Sequence, residues 1–169
     1  MKLLLLIRHA KSSWKDTRLD DHDRTLNKRG EHDAPFMATV LKKKHITTDL
    51  IISSTATRAL LTAKIFAKEL GYKKDHIIQD KGLYLAELEE LIEIVKQLPD
   101  KNSVVCLFGH NPGITSFTNF LCNAGIDNVP TCGICAISFP FDSWQEVASG
   151  NGKLDFFEFP KLYFKDAED

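Results

Sequence analysis

Short, unbroken apolar runs alternate along the chain with longer stretches in which apolar residues recur every three or four positions. The short runs include Leu3-Leu4-Leu5-Leu6-Ile7, Leu50-Ile51-Ile52 and Val104-Val105-Cys106-Leu107. None shows the in-and-out alternation of a half-wetted strand, so they read as strands covered on both faces. Strands are predicted at 2–8, 48–53, 75–79, 103–109 and 133–139. The Asn-Gly within Gly150-Asn151-Gly152 is a strong turn signal and predicts a hairpin of strands 144–149 and 153–159. The periodic stretches predict helices at 27–44, 56–71, 86–98 and 113–125. In the third, Leu85, Leu88, Leu91, Ile92, Val95 and Leu98 form one apolar stripe that leaves Glu87 on the polar face. Pro35 is expected to kink the first helix or to mark its effective start.

This alternation of strand and helix argues for a three-layer α/β/α fold, a mostly parallel sheet with helices on both faces and antiparallel edge strands supplied by the hairpin. The length of 169 residues and a hydrophobic content of 43% suit a single domain over 1–169. No repeat, low-complexity tract or linker divides it. The tail Lys165-Asp166-Ala167-Glu168-Asp169 is expected to fray.

Chemistry in such a sheet gathers at the carboxyl ends of strands, and three strand ends here carry it. Arg8-His9 follows the first run. A neutral imidazole is a nucleophile near neutral pH, and a guanidinium beside it can grip an anion through two parallel hydrogen bonds. The pair reads as attack on a phosphoryl group. Ser53-Ser54-Thr55-Ala56-Thr57-Arg58-Ala59 ends the second run and opens a helix that Ser53, Ser54 or Thr55 can cap. Arg58 lies in its first turn, a placement against the helix dipole that makes sense with an anion nearby. Phe108-Gly109-His110-Asn111-Pro112-Gly113 brings a second histidine to a strand end, with Asn111 and Pro112 marking a helix start. The polar loop Asp20-Asp21-His22-Asp23-Arg24-Thr25-Leu26-Asn27-Lys28-Arg29-Gly30 can fold over the mouth. Each segment alone fits a structural role; together they converge on one crevice.

Net charge and cysteine usage exclude several classes. A formal charge of −1 gives no global field for nucleic acid or anionic lipid. Lys11, Lys15 and Arg18 with Trp14 read as a solvated loop around one packed aromatic. The leading apolar run spans only five residues, without the pattern of a signal peptide, and no stretch approaches the roughly 20 apolar residues of a membrane span. A cytoplasmic protein with reduced thiols is expected. Cys132-Gly133-Ile134-Cys135 has the C-x-x-C spacing but no second ligand pair, so a structural role is favoured over zinc or redox chemistry.

Taken in order, Leu6-Ile7-Arg8-His9-Ala10-Lys11-Ser12-Ser13-Trp14, Arg24-Thr25-Leu26 with Arg29-Gly30, Ser53-Ser54 with Arg58-Ala59 and Thr62-Ala63, and Gly109-His110-Asn111-Pro112-Gly113 resemble the histidine phosphatase superfamily, also called phosphoglycerate mutase-like. Within it they look most like the SixA-type phosphohistidine phosphatases. The resemblance spans about residues 3–113. It implies that His9 becomes phosphorylated, that Arg8, Arg58 and His110 hold the phosphoryl oxygens, and that neither metal nor other cofactor takes part. Ala10, Lys11 and Lys15 stand where the commoner mutase-like motif has glycine, glutamate and asparagine; the Ala-Lys pair is the SixA-type variant, and a lysine can still serve as a point-charge phosphate binder. For the general acid, Glu87 is the nearest match to the glutamate of larger relatives, with Asp21 and Asp23 competing. An imidazole leaving group needs less acid assistance than an alcohol, which favours phosphohistidine as substrate. The expected partner is thus a phosphorylated protein or a small phosphate compound. The alternatives are a phosphomonoesterase of a metabolite or phosphopeptide, and a phosphate-binding module without turnover.

Overall fold

The computed structural model describes residues 1–164, so the expectation for the acidic tail lies outside the described residues. Ten principal elements follow in order. They are β1 (Lys2–Arg8), α1 (Lys28–Lys43), β2 (Leu50–Ser54), α2 (Thr57–Leu70), β3 (Ile78–Asp80), α3 (Leu88–Lys96), β4 (Val104–Gly109), α4 (Gly113–Cys122), β5 (Ile134–Phe139) and β6 (Lys153–Glu158). The strands form one six-stranded sheet in the order β3-β2-β4-β1-β5-β6. β3, β2, β4 and β1 run parallel, whereas β5 is antiparallel to β1 and β6 to β5. The fold is the three-layer α/β/α arrangement with an antiparallel margin.

The first apolar run is buried from both sides because its side chains alternate between two cores. Leu4 and Leu6 join one cluster with Leu91 and Val95 of α3 and Ile114, Phe117 and Leu121 of α4. Leu5 and Ile7 join the other with Met37 and Leu41 of α1 and Phe66 of α2. Each such side chain removed from water contributes about 1.5–3 kcal/mol, which holds β1 firmly in the centre of the sheet. The strand that ends on Arg8 and delivers His9 is therefore anchored in both core layers.

Three local expectations are corrected. The hairpin does not form: residues 144–146 make a 3-10 turn, and β6 pairs with β5. Trp144 is fully buried, its indole donating to the Asn102 carbonyl at 2.9 Å, which draws this segment beneath α3 instead of into the sheet. The turn glycines dock on α4, with Gly150 N–H donating to Phe120 and Gly152 N–H to Leu121, each at 2.9 Å. The strand expected at 75–79 shrinks to β3, because Lys74–His76 form a 3-10 turn. Finally, Pro35 does not mark the effective start of α1, which runs from Lys28 and continues past it. Its start is set by Asn27, whose side chain accepts from Gly30 N–H at 2.8 Å.

Candidate active site

His9 and His110 come together because β1 and β4 are parallel neighbours in matching register. Arg8 pairs with Gly109, and His9 N–H donates to the Gly109 carbonyl at 3.1 Å. The two imidazoles extend past the strand ends with ring centroids 5.2 Å apart. On the other side of β4, β2 ends at Ser53-Ser54 and delivers α2, whose first turn holds Arg58. His9, Arg58 and His110 are 8%, 3% and 4% exposed. Arg8, partly buried, donates from Nη1 to the Val129 carbonyl at 3.0 Å and adds positive charge near both imidazoles.

The protonation of each ring follows from its partners. His9 Nδ1 lies 2.7 Å from the Ala10 carbonyl, which can only accept, so Nδ1 carries the proton and Nε2 keeps its lone pair. Burial lowers the His9 pKa to about 3; nearby His110, Arg58 and Arg8 add to this, and the Ala10 carbonyl opposes it. Burial, with Arg58 next, lowers His110 likewise to about 3. Its Nε2 meets Ser54 Oγ at 2.8 Å. Since that oxygen accepts from Ala56 N–H at 3.1 Å, its own hydrogen is available for Nε2, leaving His110 Nδ1–H as a donor. The lone side-chain cap foreseen for α2 takes a different form: Ala56 occupies the cap, Ser54 supports the turn, and Thr55 reaches away to His22.

Two buried nitrogens of this cluster, Arg58 Nε and His110 Nδ1, have no hydrogen-bond partner. Buried polar groups are nearly always paired, and an unpaired one costs about 1–3 kcal/mol. A nucleophilic nitrogen, two unpartnered donors and two guanidinium charges together can accept a tetrahedral oxyanion and attack its centre.

The loop of Asp20 to Gly30 lies against this cluster as a 3-10 turn at Asp21–Asp23. Asp21 accepts from Arg58 Nη2 at 3.0 Å, from Arg24 Nη2 at 3.1 Å and from the Tyr84 hydroxyl at 2.5 Å, while its carbonyl accepts from Arg58 Nη1 at 2.6 Å. Burial opposes ionisation there, but the Tyr84 and Arg58 hydrogen bonds outweigh it and hold the carboxyl well below the usual carboxylate range. Asp21 is therefore ionised and occupied, unsuited to giving up a proton. Glu87 sits at the cap of α3 rather than on its polar face, exposed, its backbone N–H donating to Glu90 Oε1 at 3.2 Å. No described contact joins it to His9, Arg58 or His110. Asp23 meets His22 Nδ1 at 3.2 Å, and Lys15 is an exposed loop residue.

Several contributors were assigned no role in the site from the sequence. Arg24 is buried, donates to Ser12 Oγ at 2.7 Å, and lays its guanidinium 3.5 Å from the ring centre of Trp14, which is 72% exposed. Tyr84 packs edge-on against both His110 and His22, at 5.4 and 4.9 Å. Cys132 N–H donates to the Arg8 and His9 carbonyls at 3.1 and 3.0 Å, clamping the strand end. The Cys132 and Cys135 thiols enter opposite core layers, and burial raises the first well above its ordinary value and the second to about 12. Thiolate chemistry is disfavoured at both. Among the described residues, no helix is long and apolar enough to cross a membrane.

A strand-end histidine pair flanked by arginines on this sheet order defines a phosphoryl-handling α/β enzyme, and comparison with known proteins agrees. The profile of the histidine phosphatase superfamily (branch 1) matches residues 4–88, and the chain belongs to that superfamily. An uncharacterised chloroplastic protein of Arabidopsis thaliana is 34% identical over 158 residues, covering 88% of this chain and 72% of the relative. Among solved structures, a protein of Agrobacterium tumefaciens assigned as phosphohistidine phosphatase SixA superposes with a TM-score of 0.79 at 25% identity, covering 94% of this chain and 98% of that one. The protein histidine phosphatase SixA complexed with tungstate shares the fold with a TM-score of 0.77 at 17% identity, covering 92% and 95%. The protein is a phosphatase of SixA-like fold.

Proposed function

We propose that this phosphatase removes phosphate from phosphohistidine on proteins through a phosphorylated His9, without a metal ion. The unpartnered donors Arg58 Nε and His110 Nδ1 beside the His9 lone pair carry the reading, because an oxyanion bound there satisfies both. His9 Nε2 attacks phosphorus, the new P–N bond forming as the bond to the leaving group breaks. Water then attacks the phosphorylated imidazole and releases inorganic phosphate. Charge on the equatorial oxygens, which metal ions offset in many phosphoryl-transfer enzymes, is met here by Arg8, Arg58 and the His110 N–H. The Ala10 carbonyl holds the His9 ring in the reactive tautomer throughout.

For the substrate, Asp21 is ionised and Glu87 has no described contact with His9, Arg58 or His110, so neither carboxyl is poised as the acid that an alkyl ester would need, which favours a P–N bond. The short segment between Asp80 and Glu87 leaves no length for a large lid, which suits a phosphate presented on a protein surface. The A. tumefaciens neighbour's assignment as a phosphohistidine phosphatase supports the same choice. The test is a metal-free panel, with chelator, of a histidine-phosphorylated protein, phosphoramidate, aryl phosphates and sugar phosphates. P–N substrates should show the higher kcat/KM, and His9→Ala should lose turnover by several orders of magnitude while staying folded. Faster turnover of sugar phosphates would make the metabolite phosphomonoesterase the better reading, and near-normal activity in His9→Ala would remove the covalent mechanism.

A further inference from the structure

We propose that His22 is the proton donor to the leaving group and the base that activates water in the second step, an inference that rests on His9 being the nucleophile. An in-line displacement places the leaving atom opposite His9 Nε2, toward the mouth of the buried cluster. Among the described residues, Asp21 contacts Arg58, Tyr84 contacts His110, and His22 contacts Tyr84 and Thr55 beside them; all three reach solvent. Asp21 is ionised and occupied by three donors, and the Tyr84 hydroxyl is committed to Asp21. His22 carries the remaining exchangeable proton among the three.

Its position is well defined. The ring stands edge-on to Tyr84, which stands edge-on to His110. Nε2 is 2.9 Å from Thr55 Oγ1, one residue beyond the Ser54 that holds His110, and the neighbouring Asp21 holds Arg58. His22 is thus tied on both sides to residues that anchor the phosphoryl-binding groups, with its side chain 39% exposed. The Asp23 carboxylate at Nδ1 keeps a proton on that nitrogen, so Nε2 is where exchange occurs. A hydroxyl can donate to Nε2 when the ring is neutral and accept from it when charged. Thr55 therefore suits both protonation states without rearrangement.

The protons balance over a cycle. As the P–N bond to His9 forms, the bond from phosphorus to the departing atom breaks, and that atom takes the Nε2 proton of His22. Neutral His22 then accepts a proton from the water that attacks phospho-His9. Inorganic phosphate leaves, and His9 and protonated His22 are regenerated.

The experiment compares wild type, His22→Gln, His22→Ala and His9→Ala on phenyl phosphate and 4-nitrophenyl phosphate, whose leaving groups differ in their need for a proton. General acid catalysis contributes roughly 10²–10⁴-fold when the leaving group is poor. His22→Gln should lower kcat/KM about 10²-fold on the phenyl ester and no more than about threefold on the nitrophenyl ester. Free imidazole should restore turnover of the phenyl ester by His22→Ala. Equal losses on both esters, no loss on either, or no rescue by imidazole would overturn the assignment. Activity retained by His9→Ala would instead overturn the nucleophile on which it rests, whatever the His22 variants do.

Discussion

Asp21 gathers donors from Arg24, Arg58 and Tyr84, so its work is to aim a guanidinium rather than to move a proton. Asp21→Asn should raise KM about tenfold, the equivalent of one charge-assisted hydrogen bond discounted for a side chain that is 42% exposed. It should leave kcat within about threefold, whereas loss of a proton donor falls on kcat; steady-state kinetics on an aryl phosphate separates the two. Arg8, His9, Arg58 and His110 were legible because each sits at a fixed offset from a strand end, and such offsets survive in a linear string. Arg24 was legible as part of a motif, whereas the roles of Tyr84 and His22 were not. Their partners lie on other segments, 63 residues apart for Tyr84 and Asp21, and no spacing rule links them.

At the scale of elements, two glycines set how closely segments approach the site. A Cβ on Gly30 would come 2.2 Å from the Lys11 carbonyl, and one on Gly113 would come 2.4 Å from the Ala86 carbonyl. Both obstacles are backbone and cannot swing aside. Gly30→Ala and Gly113→Ala should each cost about 1–3 kcal/mol, a fall in melting temperature of roughly 2–10 °C for a chain of this size, measurable by calorimetry. Gly30→Ala should also lower activity, because Lys11 lies two residues beyond His9. The helices were readable from their period and the buried strands from their unbroken apolar runs. The mistaken hairpin shows where period and turn chemistry fail: Trp144 and the segment after it are claimed by α3 and α4, and tertiary burial overrides a local turn preference.

For the whole molecule, keeping two imidazoles neutral links the site to stability. Folding lowers His9 and His110 from 6.5 to about 3, so between those values the unfolded chain binds more protons than the folded one. Stability then rises with pH across that window and is lost as pH falls through it. Asp21, held down by folding, adds a further loss below its ordinary value of 3.8. Melting temperature should drop steadily from pH 7 toward pH 4, and a His9→Ala, His110→Ala double variant should show a flatter slope; a slope unchanged in that variant would place the protons elsewhere. The sheet order has a consequence of another kind, for the newly made chain. Residues 1–58 already contain Arg8, His9 and Arg58, yet the strand that belongs between β1 and β2 is β4, synthesised some fifty residues later. Until residues 104–110 emerge from the ribosome, β1 and β2 have no common neighbour to fix their spacing. The site thus cannot assemble until the strand between β1 and β2 is threaded into place.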